Sequence, residues 1–221
     1  MVNKKNRTII VCGGMLEKDF AKDIVLDVNT QFVVGVDSGL QFLYDHGIVP
    51  DLIVGDFDSV EKEIISYYND NHKDIPIHKC NPEKDASDAE IALGLCINME
   101  HDNIIILGGT GKRLDHFWSN VQILKNALDA SVDARILDSK NRIRLIDSKF
   151  SLSIDQAFGK YFSLFPLGEA VRNLSIIGAK YPLEGYCLSP YTSRCVSNEF
   201  ATDEIEITFD NGVIVFMETR D

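Results

Sequence analysis

The sequence lacks any long apolar stretch and any closely spaced pair of cysteines. Its purely apolar runs are short, such as Ile104 to Leu107, whereas about 20 residues are needed to span a bilayer, so we expect no membrane segment. The basic start, Met1 to Arg7, is followed by too few apolar residues for the core of a signal peptide. The five cysteines are scattered without a CxxC spacing, which disfavours a zinc site or a disulfide framework and favours a reduced, cytoplasmic protein.

The sequence also lacks an excess of basic residues. Acidic residues outnumber basic ones 34 to 22, which gives a formal net charge of -12. A field of this sign repels a phosphate backbone, so we expect no nucleic-acid binding. A small anionic substrate is still permitted if a cation or a group of backbone donors screens the charge locally. A chain of 221 residues, 45% of them hydrophobic, is expected to form one or two globular domains.

The first part of the chain alternates apolar runs with helical patterns. The runs Thr8 to Cys12, Phe32 to Val36, Leu52 to Val54 and Ile104 to Leu107 are apolar throughout, as in strands of a parallel sheet that is covered on both faces. Ser87 to Glu90 reads as a capping box at the start of a helix. We therefore predict an α/β domain over residues 1–139, with a mostly parallel sheet flanked by helices.

After Asp138 the pattern changes to short β-like runs separated by turn residues. Asp210-Asn211-Gly212 predicts a hairpin between a strand over Ile205 to Phe209 and a strand over Gly212 to Met217. No convincing helix remains. We predict a second, all-β domain over residues 140–221, either a sandwich or a barrel.

Acidic residues follow several of the predicted strands. Asp37 ends one strand, Asp56 and Asp58 end another, and Asp85 and Asp88 lie at a helix start. Ligands bind at the carboxyl ends of parallel strands, and two carboxylates at about 4 Å repel by about 4 kcal/mol. Oxygen ligands without His or Cys point to Mg²⁺. The alternative is that each aspartate only caps a helix or forms a turn.

A glycine-rich turn, Gly108 to Gly111, lies between a predicted buried strand and a predicted helix. Its backbone N–H groups would approach phosphate oxygens, and Lys112 and Arg113 add cations. The turn has neither the Walker A order nor the GxGxxG order, and a purely structural turn remains the alternative. Gly13-Gly14 would either touch a nucleotide or permit a tight turn.

Four further side chains are candidates for substrate contacts. Asp115 would pair with a neighbouring arginine, and His116 would be either a base or an orienting residue. Tyr181 would stack on a flat heterocycle or pack in the core. Asn198, in Ser197-Asn198-Glu199, would bind a polar substrate group or form a turn.

Taken together, the motifs resemble thiamine pyrophosphokinase, in its bacterial form. The first matching block contains Asp37-Ser38-Gly39 and Gly55-Asp56-Phe57-Asp58-Ser59. The next two, Lys84 to Glu90 and Gly108 to His116, resemble the family's KDxTDxE and GGTGxRxDH blocks. The C-terminal blocks include Lys180-Tyr181-Pro182-Leu183 and Ser197-Asn198-Glu199, and all blocks occur in the family's order.

The resemblance implies a transferase that moves pyrophosphate from ATP to the hydroxyl of thiamine, giving thiamine diphosphate and AMP. It further implies a homodimer in which thiamine lies between the α/β domain of one subunit and the β domain of the other. The Mg²⁺ ligands implied are Asp56, Asp58 and Asp85. The implied nucleotide-binding residues are Asp37, Ser38, Thr110, Gly111 and Arg113. The implied thiamine-binding residues are Asp88, Asp115, Tyr181, Ser197 and Asn198. Catalytic roles fall on Asp56, Asp58, Asp88 and Asp115, of which Asp88 or Asp115 would accept the hydroxyl proton.

Two other functions stay open on the sequence. A related pyrophosphokinase acting on a hydroxymethylpterin could use the same acidic blocks. A non-catalytic nucleotide or thiamine sensor could share the scaffold, although it would be expected to lack part of the acidic set.

Overall fold

A computed structural model describes residues 7–81, 83 and 85–221. Lys84, the first residue of the predicted KDxTDxE block, and residues 1–6 of the basic start lie outside the described residues. The chain divides into two compact units, Met1–Ser139 and Lys140–Asp221.

The first unit is built on a parallel sheet of six strands. In chain order the strands are β1 (Arg7–Val11), β2 (Thr30–Val36), β3 (Leu52–Gly55), β4 (Ile77–Lys79), β5 (Asn103–Leu107) and β6 (Asp133–Leu137). Within this unit the strand order is β6-β5-β1-β2-β3-β4, and every pairing is parallel. The central strands are buried along nearly their whole length, as their continuous apolar runs predict.

Five helices connect these strands. They are α1 (Lys18–Val25), α2 (Gly39–Asp45), α3 (Lys62–Asn71), α4 (Asp88–Asn98) and α5 (Leu114–Asp129). The predicted cap of α4 is present, because Ser87 Oγ accepts a hydrogen bond from the N–H of Glu90 at 3.2 Å. Helix α5 buries a stripe that includes Val121 and Leu124, as the helical spacing of those residues predicts.

The order in which strands are added to the sheet reverses between β1 and β5. From β1 the chain adds β2, β3 and β4 on one side, and it then adds β5 and β6 on the other side. Such a switch point opens a crevice at the carboxyl ends of the two strands, where open α/β sheets bind ligands. The segments that leave β1 and β5 here are Cys12–Gly14 and Gly108–Lys112. The topology therefore places both glycine-rich segments at one edge of the sheet.

The second unit contains two antiparallel sheets. The strands are β7 (Asn141–Ile146), β8 (Phe150–Ser153), β9 (Tyr161–Pro166), β10 (Val171–Ile177), β11 (Leu183–Leu188), β12 (Asn198–Glu199), β13 (Glu204–Thr208) and β14 (Ile214–Thr219). One sheet has the order β12-β9-β14-β7 and the other has the order β11-β10-β13-β8. A shared core that includes Phe162, Leu174, Ile205 and Phe216 joins the two sheets into the predicted sandwich.

The predicted hairpin at Asp210-Asn211-Gly212 is wrong. Strand β13 pairs with β8 and β10, whereas β14 pairs with β7 and β9 in the other sheet. The turn is a corner between the two sheets, and it is fastened to the start of β10. Asn211 Oδ1 accepts from the N–H of Arg172 at 3.0 Å, and Asp210 Oδ1 accepts from Asn173 Nδ2 at 3.0 Å. Turn residues determine where the chain reverses, but long-range packing determines which strand pairs with which.

The described helices are short or amphipathic. None of them combines the length and the apolar character that crossing a membrane requires.

Candidate active site

A cavity of about 430 Å³ opens at the carboxyl ends of the first unit's strands. Its volume is within the range of small-molecule sites. All five residues predicted to bind the nucleotide contribute to its wall, namely Asp37, Ser38, Thr110, Gly111 and Arg113. Asp88 and His116 also line it. The structure thus brings together residues from two loops and two helix starts that lie up to 79 positions apart in the chain.

Close packing of two glycine-rich segments forms the floor of this cavity. A Cβ on Gly14 would lie 2.2 Å from the carbonyl oxygen of Gly108, and a Cβ on Gly108 would lie 2.1 Å from that of Cys12. Gly108 also has a positive φ of 65°. Gly14 therefore permits the close approach of the two segments, and both Gly13 and Gly14 line the cavity. Contact of this pair with a nucleotide stays a prediction.

Two carboxyl groups face each other at the acidic side of the cavity. Asp37 follows β2 with a positive φ of 43°, and its Oδ1 accepts from the N–H of Phe57 at 3.4 Å. Burial, followed by a hydrogen bond to Asp88 and the charges of Asp88 and Asp56, raises the pKa of Asp37 to about 7. Repulsion and desolvation of this kind are relieved by a proton or by a bound cation. The site therefore suits a hard divalent ion.

The three predicted Mg²⁺ ligands are less closely gathered. Asp56 is half-buried, its charge acts on Asp37, and its Oδ1 accepts from the N–H of Asp58 at 3.1 Å. Asp58 and Asp85 are exposed, and neither is among the described residues that line the cavity. No three His, Cys, Asp or Glu side chains within residues 7–81, 83 and 85–221 are grouped so as to hold a metal. The metal assignment stays a prediction.

The donor set nevertheless fits Mg²⁺ carried by a nucleotide. Mg²⁺ is usually bound through one or two carboxylates, with substrate phosphates and water completing the octahedron, and not by an all-protein cage. Carboxylate oxygens at Asp37, Asp56 and Asp88 match this requirement in chemistry.

Two cationic residues, Lys112 and Arg113, also line the cavity. Lys112 Nζ donates to the carbonyl of Gly13 at 2.9 Å. Arg113 makes a two-point hydrogen bond with Asp115, at 2.5 Å from Nη2 and 3.2 Å from Nε. This bond, together with smaller contributions, lowers the pKa of Asp115 to about 2. Both partners are exposed, so a phosphate can compete with Asp115 for the guanidinium.

The predicted thiamine residues of the second unit form a small cluster. Tyr181 is 59% exposed, which rules out the alternative that its ring packs in the core. The buried Asn198 side chain forms two hydrogen bonds with the backbone of Tyr181. Its Oδ1 accepts from the Tyr181 N–H at 3.0 Å, and its Nδ2 donates to the Tyr181 carbonyl at 2.9 Å. Ser197 has a positive φ of 57° and donates its N–H to Ser163 Oγ. Asn198 thus fixes the position of Tyr181.

Sequence reasoning missed two buried polar residues next to the glycine loop. Asn120 on α5 and Asp138 after β6 are only 7% and 8% exposed, and both bond to the loop. For Asn120 a signal existed, because it lies four residues before Leu124 on the apolar stripe of α5, where a polar side chain needs a partner. Asp138 follows a strand that the sequence pattern did not reveal.

Comparisons with known proteins agree with this geometry. Residues 26–136 match the family described as "Thiamin pyrophosphokinase, catalytic domain", and residues 148–214 match "Thiamin pyrophosphokinase, vitamin B1 binding domain". The chain is 31% identical over 216 residues to thiamine pyrophosphokinase of Bacillus subtilis (strain 168), covering 96% of this chain and 98% of that protein.

Solved structures give the same result. The crystal structure of the Bacillus subtilis protein superposes with a TM-score of 0.86 at 28% identity, over 97% of this chain and 99% of the other. Thiamin pyrophosphokinase from Geobacillus thermodenitrificans gives a TM-score of 0.84 at 29% identity, over 97% and 98%. The resemblance drawn from the motifs is confirmed, as is the fold class of a helix-flanked parallel sheet with a separate antiparallel β domain. The chain belongs to the thiamine pyrophosphokinase family.

Proposed function

We propose that the cavity of the first unit binds Mg²⁺-ATP and supplies the pyrophosphoryl group that this transferase moves to thiamine. The single observation that carries the proposal is the meeting of all five predicted nucleotide residues in one cavity at the switch point of the sheet. In the reaction, the thiamine hydroxyl oxygen bonds to the β-phosphorus and the bond from that phosphorus to the α-phosphate oxygen breaks. AMP leaves with that oxygen, and thiamine diphosphate is formed.

Mg²⁺ would be held between the nucleotide and the acidic side of the cavity. Asp56, Asp58 and Asp85 are the proposed ligands, with Asp37 and Asp88 beside them. The crowding that raises the pKa of Asp37 to about 7 supports a cation here, because a positive ion would offset it. When bound, Mg²⁺ neutralises charge on the phosphate oxygens. The protein's own part is to hold the triphosphate in line with the hydroxyl.

Asp88 is the proposed acceptor of the hydroxyl proton. It lines the cavity, whereas the carboxylate of Asp115 is bound by Arg113, which holds its pKa near 2 and makes it a weak base. We assign Asp115 instead to positioning Arg113 at the cavity wall, through their two hydrogen bonds, until a phosphate group binds. Arg113 would then stabilise charge that develops on the phosphates.

Thiamine would be recognised by the second unit. Tyr181 offers an exposed ring for stacking on the aminopyrimidine, and Asn198 keeps its backbone in place. Direct polar contacts from Ser197 and Asn198 to the aminopyrimidine are also proposed. Thiamine is a cation, so the net charge of -12 favours its approach.

We further propose that the enzyme acts as a homodimer with its active site at the subunit interface. The proposed ATP residues belong to the first unit and the proposed Tyr181 platform belongs to the second, so a shared site would need both. Asp56→Asn and Tyr181→Ala subunits would be co-expressed with different tags and isolated as mixed dimers. The assay would use thiamine near the wild-type KM, where Tyr181→Ala is expected to be nearly inactive. Recovery of about half of the wild-type activity would support the shared site, and no recovery above either parent would refute it.

A cytoplasmic location completes the proposal. No disulfide joins the five cysteines, all of which lie in the described part of the chain, and this suits a reducing compartment.

A coupled assay for AMP release tests the function directly. The purified protein would be incubated with ATP, Mg²⁺ and either thiamine or a hydroxymethylpterin. AMP release that requires thiamine is the expected result. Release with the pterin alone would establish the related pyrophosphokinase instead, and binding of both substrates without turnover would establish a sensor.

A further inference from the structure

Three successive carbonyl groups of the loop after β5 accept hydrogen bonds from the protein. The carbonyls of Gly108 and Thr110 accept from the backbone N–H groups of residues 14 and 15, at 2.9 and 2.8 Å. Between them, the carbonyl of Gly109 accepts from Asn120 Nδ2 at 3.0 Å. The groups that would repel a phosphate are therefore fixed in contacts with the protein.

The donor side of the same loop is different. Within the described part of the chain, the N–H groups of Thr110, Gly111 and Lys112 donate to no other protein group. Gly111 and Lys112 have positive φ values of 73° and 51°. Successive N–H groups in such conformations make a concave site for an anion. All three residues line the cavity.

Two buried side chains fasten this loop from behind. Asn120 reaches Gly109 from α5, and Asp138, directly after β6, accepts a hydrogen bond from Thr110 Oγ1 at 2.6 Å. Both anchoring residues are more than nine-tenths buried. Because the hydroxyl proton of Thr110 is used by Asp138, that hydroxyl cannot donate to a phosphate, and Thr110 can serve an anion only through its N–H group.

We infer that Asn120 and Asp138 are positioning residues, which hold the 108–111 loop so that its N–H groups face the triphosphate of ATP. The inference rests on the proposed function of the cavity. Asn120 also lines the cavity, but its Nδ2 is used by the Gly109 carbonyl, and Asp138 is not among the described residues that line the cavity. Their effect is exerted on the affinity for ATP, through Gly109 and Thr110, and not on the thiamine half of the site.

The first test replaces Asn120 by leucine. Leucine is similar in size and favours both helix and burial, so the fold is retained while the Gly109 carbonyl loses its donor. We expect the KM for ATP to rise about tenfold and the KM for thiamine to stay within about twofold. Asn126→Leu is the matched control, because Asn126 is exposed on the same helix and does not touch the loop; its kinetics should equal those of the wild type.

A second pair of variants tests the Asp138 anchor without altering Asp138. Thr110→Val keeps the shape of the side chain but removes the hydroxyl, whereas Thr110→Ser keeps the hydroxyl. We expect Val to raise the KM for ATP about tenfold and Ser to restore it to within about threefold of the wild type. Titration calorimetry with Mg²⁺-ATP should show the same losses of affinity, and thermal unfolding measures any change in the fold.

The possible outcomes separate the inference from the function on which it rests. If the wild type releases no AMP from ATP and thiamine, the proposed function fails. If it does, and Asn120→Leu and Thr110→Val keep the wild-type KM for ATP, the positioning inference alone is refuted. A fall in kcat with an unchanged KM for ATP also refutes it, because that pattern indicates a general structural effect.

Discussion

Replacing Tyr181 by alanine should weaken thiamine binding and leave the fold intact. The Tyr181 ring is 59% exposed, so its removal creates no cavity in the core of the second unit. Its backbone is held by Asn198 and not by the ring. Exposed substitutions of this kind usually change the free energy of unfolding by no more than about 0.5 kcal/mol.

The size of the expected effect follows from the stacking that the ring can offer. Stacking of an aromatic side chain on a base contributes about 1–3 kcal/mol when measured by alanine substitution. With tenfold in affinity for every 1.4 kcal/mol, the KM for thiamine should rise about 5- to 150-fold. Lys180 Nζ lies 5.6 Å from the centre of the Tyr181 ring and donates a hydrogen bond to Glu199. A flat ligand that stacks on this face of the ring must therefore share the face with Lys180 or displace it. We therefore expect a value in the lower half of this range.

The assay is steady-state AMP release with thiamine varied and ATP saturating. Tyr181→Phe keeps the ring and should stay within about threefold of the wild type, and Tyr181→Trp should bind thiamine at least as well. Tyr44→Ala removes another exposed tyrosine in the first unit and serves as the control. An unchanged thiamine KM in Tyr181→Ala, or an equal loss in Tyr181→Phe, would remove stacking from the account.

Three further predictions concern the metal, the thiols and the second unit. Asp56→Asn should lower turnover at least 100-fold while the melting temperature, measured by circular dichroism, changes by only a few degrees; near-normal turnover would exclude Asp56 from the metal site. A thiol reagent should modify exposed Cys187 quickly in the native protein but should not modify Cys12. Burial, followed by the charges of nearby aspartates, raises the pKa of the Cys12 thiol to about 12. Labelling of both cysteines at equal rates would contradict this prediction. Glu218→Ala should lower the free energy of unfolding, measured by urea denaturation, by about 3–5 kcal/mol, because it leaves the half-buried Arg142 without the buried carboxylate that binds it through two hydrogen bonds of 2.6 Å; a loss below about 1 kcal/mol would show that the pair is solvated.

The parallel sheet could be predicted because the residue pattern within each of its main strands is sufficient to identify it. Strands β1 and β5 contain the β-branched runs Thr8 to Val11 and Ile104 to Ile106, each followed closely by glycine, and helix α4 has a capping serine. Helix α1 and strand β6 were missed. The cap residue of α1, Glu17, makes no side-chain capping bond, and two of the first three residues of β6, Asp133 and Arg135, are charged.

The second unit shows where local patterns stop being informative. Strand β11 is largely exposed and contains Gly185 at a positive φ of 59°, so it has no regular alternation of apolar residues. The turn before β14 looks like a hairpin but leads into the other sheet, because the partners of β14 are chosen by burial of Phe216 in the shared core. Partner choice of this kind depends on contacts distant in sequence.

The structure gathers the residues expected to bind the nucleotide more closely than those expected to bind the metal. Asp37 follows β2, Thr110 lies in the loop after β5 and Arg113 caps α5, and the topology alone brings them to one cavity. The exposed positions of Asp58 and Asp85 could not be deduced, because a loop's path depends on packing and on ligands.

The central claim is that the acidic loops bind one side of a Mg²⁺-triphosphate group and that the 108–111 loop binds its other side. Crystals grown with Mn²⁺ and α,β-methylene ATP, whose α–β bond cannot be cleaved, test this claim most directly. We predict an anomalous Mn²⁺ peak at about 2.0–2.3 Å from a carboxylate oxygen of Asp56 or its acidic neighbours, with phosphate oxygens on the N–H groups of Thr110 and Gly111. A triphosphate bound elsewhere, or a metal peak with no aspartate ligand, would contradict the account.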